Sequence, residues 1–166
     1  MKVNFKVLCD GATPPAYATE YAAGADLYNL KNEDVTLLPG ETKLIHTGIA
    51  LEIPEGYVGL IFARSGLATK RGLAPANKVG VIDSDYRGEI MVSLHNHSTM
   101  EQRIEAGERV AQISIVPYLK AEFEETDTKK ATLRRCTGSA DRLRWSLYLF
   151  FPHNGYSVGT LAGRIK

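Results

Sequence analysis

The sequence predicts an all-β fold: a distorted β-barrel or jelly roll of short strands, with one short helix and a C-terminal arm. Apolar and polar residues alternate with period two in short segments, for example over residues 3–7 and 90–95. Such alternation indicates strands with one buried face. Turn signatures such as Pro39-Gly40 and Pro54-Glu55-Gly56 separate the segments, at intervals of about ten residues that are typical of sandwiches and barrels.

Each predicted element has its own sequence signature. The predicted strands cover residues 3–7, 35–38, 42–53, 57–62, 90–95 and 110–116, and a further core strand is expected to end just before Asp83. The first of these is expected to be half-buried, because Val3, Phe5 and Val7 alternate with polar residues. Residues 65–71 form the predicted helix, which is too short to be stable without tertiary contacts.

Composition limits the classes of partner and the compartment. The 166 residues carry 20 basic and 19 acidic side chains, a formal net charge of +1, so no global field favours nucleic acid or a membrane as a partner. Cys9 and Cys136 match no zinc or redox spacing, which favours free thiols and a cytoplasmic location. The first residues lack the apolar block of a signal peptide, and the longest apolar run, near residues 147–151, is too short to span a bilayer.

The composition changes twice near the C-terminus and predicts three regions. Residues 1–121 form the predicted β jelly-roll domain. Residues 122–135 form a polar linker or arm, because 122–130 are charged and almost without apolar side chains. Residues 136–166 form an atypical tail, basic and then aromatic.

Asp83 is the candidate catalytic residue. It follows the apolar residues Val81 and Ile82, so its carboxylate is expected to be partly shielded from water, which suits a general base. An alternative is a plain hairpin turn at Ser84-Asp85. A calcium loop is excluded, since the required oxygen ligand and glutamate are replaced by Arg87 and Leu94.

Arg64-Ser65-Gly66 is the candidate anion site. A guanidinium, a hydroxyl and a permissive backbone follow one another where a strand gives way to the predicted helix. Free N–H groups at the start of a helix attract phosphate. The alternative is an N-cap formed by Ser65, with Arg64 in a surface ion pair.

Three further polar residues, Tyr86, Gln112 and Asp26, each have a structural and a functional interpretation. Tyr86 is either a cross-strand packing residue or part of a pocket. Gln112 lies within an apolar strand, so its amide is either satisfied by neighbouring backbone or directed at a ligand, because an unpaired buried amide costs about 1–3 kcal/mol. Asp26 either ends a turn or belongs to a site. His95 and His97 have no nearby third ligand and are interpreted as structural or solvated.

Four segments, in this order, resemble the motifs of the trimeric dUTP pyrophosphatases (dUTPases). They are Ala23-Gly24-Ala25-Asp26-Leu27, Arg64-Ser65-Gly66-Leu67-Ala68, Asn77 through Gly88, and Gly107-Glu108-Arg109-Val110-Ala111-Gln112. Minor departures are Ala63, where proline usually precedes the arginine, and Glu108 for the usual aspartate. The resemblance implies a homotrimer with active sites between subunits.

The resemblance also implies a reaction and a role for each matching residue. The family hydrolyses dUTP to dUMP and pyrophosphate by attack of water on the α-phosphorus, with Mg²⁺ on the triphosphate and, by motif match, Asp83 as general base. Phosphate would be bound by Arg64, Ser65, Gly66 and Gln112, the uracil edge by Asn77 and the backbone of Lys78, Val79 and Gly80, and the sugar by Tyr86, whose ring would exclude a 2′-hydroxyl. Asp26 and Arg134 would support the site, Asp26 by contacting Mg²⁺ through water.

The C-terminal glycine-rich motif of the family is disrupted in this chain. Thr132-Leu133-Arg134 begins it correctly, but Arg135 replaces the first glycine and Ser139 occupies the position of the stacking phenylalanine. We expect the lid over the nucleotide, and hence turnover, to be impaired. The tail is either a frame-shifted or recombined end or a lineage-specific extension.

Two other functions stay open at this point. One is a non-catalytic nucleotide-binding trimer that acts through a protein partner and its altered tail. The other is a dCTP deaminase, which would need a glutamate base where the Asn77 to Gly88 segment supplies the hydrolase pattern.

Overall fold

The computed structural model describes residues 1–125, which form twelve β-strands and one short helix. The strands are β1 (Asn4–Val7), β2 (Ala16–Tyr17), β3 (Ala25–Tyr28), β4 (Val35–Leu37), β5 (Thr42–His46), β6 (Ile49–Glu52), β7 (Tyr57–Phe62), β8 (Leu73–Pro75), β9 (Gly80–Ile82), β10 (Met91–Asn96), β11 (Gln102–Ile104) and β12 (Arg109–Pro117). The helix, α1, covers Ser65–Arg71. The predicted all-β class with one short helix is confirmed.

A five-stranded antiparallel sheet in the order β2-β3-β12-β7-β9 carries most of the candidate site. A three-stranded sheet, β5-β10-β8, and two pairs, β1-β6 and β11-β4, complete the described strands. The central strand β12 is the longest, at nine residues, and it buries Val110, Ala111 and Ile113. Because its centre is apolar, β12 can lie inside the sheet, between β3 and β7.

The core is formed by the inward-facing residues of these strands. In β10, for example, Val92 and Leu94 are buried while Met91 is exposed, as the period-two pattern predicts. Helix α1 joins the core through Leu67, its one buried residue. That contact supplies the tertiary support that a helix of seven residues needs.

Three details of the predicted elements are wrong. The segment 42–53 is two strands, because the chain turns at Gly48, whose φ is +66°. Strand β1 is exposed, with Phe5 at 52% and Val7 at 49%, because it pairs only with β6 in a separate two-stranded sheet. The short strands β2, β3, β8 and β11 were not predicted.

Residues Met1–Glu122 form one compact unit. Of the predicted linker at 122–135 only the first four residues are described, and the predicted tail at 136–166, like Arg134, lies outside the described residues. The three predicted regions therefore stay predictions. In the part that the structure describes, no helix is long and apolar enough to cross a membrane.

Gly48 combines a left-handed backbone, with a φ of +66°, and close packing. A Cβ there would lie 2.6 Å from Ala12 Cβ and 2.8 Å from Cys9 Sγ. Gly40 has a similar φ of +74° but open space around it. We expect Gly48→Ala to lower the free energy of unfolding by about 2–4 kcal/mol, from a left-handed backbone plus overpacking, and Gly40→Ala by only about 1 kcal/mol.

Urea denaturation of both variants and the wild type measures this difference. Equal losses for the two variants would contradict the packing argument, because only the backbone conformation is common to both positions.

Candidate active site

The candidate residues are arranged around strand β7. Gln112 of β12 faces Phe62 at the C-terminal end of β7, and Arg64 and Ser65 follow that end. On the other side, Ile82 of β9 faces Gly59 near the beginning of β7, and Asp83 follows Ile82. The sheet register therefore assigns the candidate base and the candidate anion site to opposite ends of one strand.

A pocket of about 530 Å³ with both polar and apolar lining residues lies at the C-terminal end of β7. Its lining includes Gly24, Asp26, Phe62, Arg64, Ser65, Gly66, Gln112 and Ser114. Strands β3, β7 and β12 and the beginning of α1 contribute these residues. The structure thus unites five of the predicted residues, namely Asp26, Arg64, Ser65, Gly66 and Gln112.

Asp26 is the buried charge of this pocket. It lies within strand β3, directly opposite Gln112, and is 5% exposed. Arg64 Nε donates to its Oδ1 at 2.7 Å, and an Arg109 Nη donates to its Oδ2 at 3.2 Å. Asp26 therefore does not end a turn, and Arg64 is held in a part-buried ion pair and not in a surface one.

Removal of this carboxylate is expected to destabilise the protein. Asp26→Ala leaves Arg64 without its partner, and we expect a loss of about 2–3 kcal/mol in the free energy of unfolding. This is below the 3–5 kcal/mol typical of a fully buried pair, because the Arg64 side chain is 25% exposed and can hydrate.

Guanidinium chloride denaturation measures the loss. Asp34→Ala is the matched control, since Asp34 pairs with Arg103 on the surface and exposed ion pairs contribute little. A loss for Asp26→Ala no larger than for the control would contradict a structural role for the buried pair.

Ser65 and Gly66 begin helix α1. Arg64 occupies the N-cap without a side-chain cap hydrogen bond, and no acidic residue lies in the first turn. The alternative in which Ser65 is the N-cap is therefore wrong. The first-turn N–H groups have no intrahelical acceptor, and a Cβ added at Gly66 would meet no atom within 4 Å. Packing within this chain does not explain the glycine, whereas close approach of a ligand to its backbone would.

Gln112 fits both of its predicted interpretations. Its Nε2 donates to the Ala63 carbonyl at 3.0 Å, so neighbouring backbone satisfies part of the amide. The side chain also lines the pocket. The bond fixes the amide beside the segment that carries Arg64 and Ser65.

Asp83 lies in a different, open pocket at the beginning of β7. Ile53, Glu55, Asp83, Ser84, Asp85, Arg87, Tyr118 and Lys120 line it. Asp83 is exposed in this chain, so the predicted shielding is wrong for the single chain. The cause is that β9 is the edge strand of its sheet, with Val81 60% exposed. The Tyr86 N–H donates to the Asp83 carbonyl at 3.1 Å, so the predicted turn at Ser84-Asp85 is present.

Tyr86 lies in the loop after β9 and is not a cross-strand packing residue. Its hydroxyl donates to the Glu89 carbonyl at 2.9 Å. A Cβ at Gly88 would lie 2.5 Å from that hydroxyl, so the ring can cross the backbone only at a glycine. The side chain stays 40% exposed.

The turn between β8 and β9 presents backbone groups. Lys78 N–H donates to Pro75 C=O at 3.0 Å, and Val79 N–H donates to Asn77 C=O at 2.7 Å. Lys78 has a φ of +67°, the one positive φ outside glycine among residues 1–125. Asn77 and Gly80 line a small cavity beside this turn.

One chain does not bring all the candidates together. Phe62, which faces Gln112, and Gly59, which faces Ile82, are three residues apart on β7, or roughly 10 Å at 3.3 Å per residue. Ser65 lies three residues beyond Phe62. Within a chain, Asp83 therefore does not reach the pocket of Ser65 and Gln112.

No group of three metal-ligating side chains occurs in residues 1–125. The His95 and His97 rings meet edge to face, 4.3 Å between centroids, and burial, with the charges of His95 and Lys78, lowers the pKa of His97. Each Asp26 oxygen accepts one hydrogen bond from a guanidinium group, which leaves lone pairs free, so the predicted contact of Asp26 with Mg²⁺ through water stays a prediction.

Arg109 and Ser114 belong to the pocket surroundings but were not predicted as site residues. Arg109 contacts Asp26, and Ser114 Oγ donates to the Ala23 carbonyl at 3.0 Å. Arg109 could have been identified from the sequence, because it lies within the motif 107–112 and is a charged residue next to an apolar run. Ser114 has no such signal in the sequence.

The fold and the site define a β-sheet protein with a pocket whose arginine, serine and glutamine side chains suit an anionic ligand. The family model described as dUTPase matches residues 10–141. The chain belongs to the dUTPase family, as its motifs predicted.

Curated relatives and solved structures agree with this assignment. The deoxyuridine 5′-triphosphate nucleotidohydrolase of Nautilia profundicola is 49% identical, over 83% of this chain and 96% of its own length. That of Alcanivorax borkumensis is 42% identical, over 81% and 93%. The dUTPase of Staphylococcus aureus phage phi11 superposes with a TM-score of 0.72 at 26% identity, over 79% of this chain and 99% of that one.

Proposed function

We propose that this chain hydrolyses dUTP to dUMP and pyrophosphate, with Asp83 as general base, at sites completed between the subunits of a homotrimer. The observation that carries the proposal is the division of the motif residues between the two ends of β7. A neighbouring chain that places its Asp83 hairpin at the Arg64-Ser65 pocket would restore the full set.

In the proposed reaction, Asp83 accepts a proton from a water molecule as that water attacks the α-phosphorus. A new P–O bond forms, the bond from the α-phosphorus to the α,β-bridging oxygen breaks, and pyrophosphate leaves with the electron pair. Arg64, the Ser65 hydroxyl, the Gly66 backbone and Gln112 bind the phosphates. Their part is positioning and charge stabilisation, because phosphoryl transfer demands little covalent chemistry from the protein.

Mg²⁺, when bound, would neutralise charge on the phosphate oxygens, and it would be held by the nucleotide, in keeping with the preference of this ion for phosphates and its own waters. In this proposal Asp26 acts through its hydrogen bond to Arg64. It orients Arg64, through the 2.7 Å bond, toward the pocket that both line.

Substrate selection follows from the two turns beside β9. Asn77 and the backbone of Lys78 to Gly80 would pair with the uracil edge, and close approach of that backbone would exclude a thymine methyl. The Tyr86 ring would lie against the sugar and exclude a 2′-hydroxyl. Exclusion by a clash or an unpaired polar group discriminates better than a roomy apolar pocket, where a methylene is worth only about 1–3 kcal/mol.

Pyrophosphate release with dUTP, UTP, dTTP and dCTP in the presence of Mg²⁺ tests the proposal. We expect dUTP to be the one nucleotide of the four that is hydrolysed, with dUMP as product. Ammonia and dUTP formed from dCTP would indicate a deaminase, and binding of dUTP without release of pyrophosphate would indicate a nucleotide-binding protein.

The effect of the disrupted glycine-rich motif is tested with a variant in which the family motif is restored after Arg134. This variant should hydrolyse dUTP faster than the unchanged chain.

A further inference from the structure

Glu89 connects the Tyr86 loop to the turn between β5 and β6. Gly48 N–H donates to Glu89 Oε1 at 2.8 Å, and His46 Nδ1 lies 2.9 Å from Glu89 Oε2. The Glu89 side chain is only 22% exposed. Both oxygens of one carboxylate therefore contact the same neighbouring turn.

The backbone of the same residue holds Tyr86. The Tyr86 hydroxyl donates to the Glu89 carbonyl at 2.9 Å, across Gly88, where a side chain would collide with the ring. Any displacement of Glu89 would therefore move the acceptor that sets the position of the ring.

The turn that receives Glu89 is itself rigid. Gly48 is closely surrounded, with Cys9, Ala12 and Leu30 all within 3.0 Å of where a Cβ would be. Beyond Glu89, Thr47 Oγ1 donates to the Ile90 carbonyl at 2.6 Å, and Ile90 N–H donates to the Ile49 carbonyl at 2.8 Å. Glu89 is thus fixed to a part of the protein that cannot easily shift.

We propose that Glu89 is a positioning residue that holds the Tyr86 ring in place and so sets the discrimination between 2′-deoxy and 2′-hydroxy nucleotides. The assignment rests on the proposed function, in which Tyr86 lies against the sugar. Glu89 itself touches no substrate. Loss of its carboxylate would free the loop, and the ring would no longer exclude the extra hydroxyl.

The charge of Glu89 strengthens this attachment. Burial raises the pKa of Glu89, but the hydrogen bonds from His46 and Gly48 outweigh it, and the net pKa is lowered. The carboxylate is therefore ionised at neutral pH, and hydrogen bonds to an ionised group are stronger than neutral ones.

The test compares kcat/KM for dUTP and UTP in full-length Glu89→Ala, Glu89→Gln and a control. Glu41→Ala is the matched control: its carboxylate accepts Leu38 N–H at 2.8 Å and pairs with Lys43 at 3.4 Å, in the turn between β4 and β5. We expect Glu89→Ala to lower the dUTP/UTP ratio about tenfold or more, since small misplacements of a contacting group have effects of this size. Most of this fall in the ratio should come from a higher kcat/KM for UTP, because kcat for dUTP should change less than about threefold.

Glu89→Gln keeps an acceptor for Gly48 N–H, so it should retain an intermediate ratio, and it replaces the alanine variant if that variant fails to fold. The control should leave the ratio unchanged. An unchanged ratio in both Glu89 variants, or an equal fall in the control, would overturn the assignment alone. A wild-type chain that does not hydrolyse dUTP would overturn the proposed function and the assignment with it.

Discussion

Asp83→Asn is expected to lower kcat for dUTP hydrolysis by about 10²–10⁴-fold, the usual contribution of a general base. The amide has nearly the shape of the carboxylate but cannot accept the proton of the attacking water. Asp83 is exposed in the chain, so the substitution should leave the fold and the thermal midpoint unchanged. Steady-state pyrophosphate release with dUTP and Mg²⁺ measures the effect.

Glu55→Gln is the matched control for this prediction. Glu55 is a second exposed carboxylate that lines the same pocket as Asp83, so its loss changes the local charge by the same amount. We expect its kcat to stay within about threefold of the wild type, since it has no role in proton transfer. Similar losses in both variants would mean that the pocket needs negative charge and not a base at Asp83.

The sequence predicted the fold well where apolar alternation is long. Strand β7 and helix α1 were predicted with the bounds that the structure has, and β12 within one residue at each end. Strands β3 and β8, which have four and three residues, were not predicted. Their existence depends on long neighbours, β12 for β3 and β10 for β8, and such pairing is not encoded locally.

The candidate site shows the same division between local and distant information. The motif 64–66 and Gln112 converge in one pocket because β7 and β12 are adjacent. By contrast, no local pattern indicates that Asp26 bonds to Arg64 and Arg109, which are 38 and 83 residues away in the chain. The shielding predicted for Asp83 is wrong for the single chain for a related reason: an apolar run before a carboxylate does not determine whether another element packs over it.

The intersubunit arrangement can be tested by restoring activity from two inactive chains. Asp83→Asn and Ser65→Ala should each be nearly inactive alone, since each removes one half of the proposed site from every subunit. Co-expressed in equal amounts, they should regain about a quarter of wild-type kcat. In a cyclic trimer each site then needs an intact Asp83 from one chain and an intact Ser65 from the next, and each is present half the time.

A second mixture makes the same experiment decisive. A chain carrying both substitutions, co-expressed equally with the wild type, should retain about a quarter of the activity if each site is shared between neighbours. It should retain about half if each site lies within one chain, and the first mixture would then regain nothing. Since Ser65 and Asp83 are both exposed, neither substitution should prevent folding, and purification through two different affinity tags establishes that mixed oligomers have formed. The pair of fractions therefore separates a site made by two chains from a site made by one.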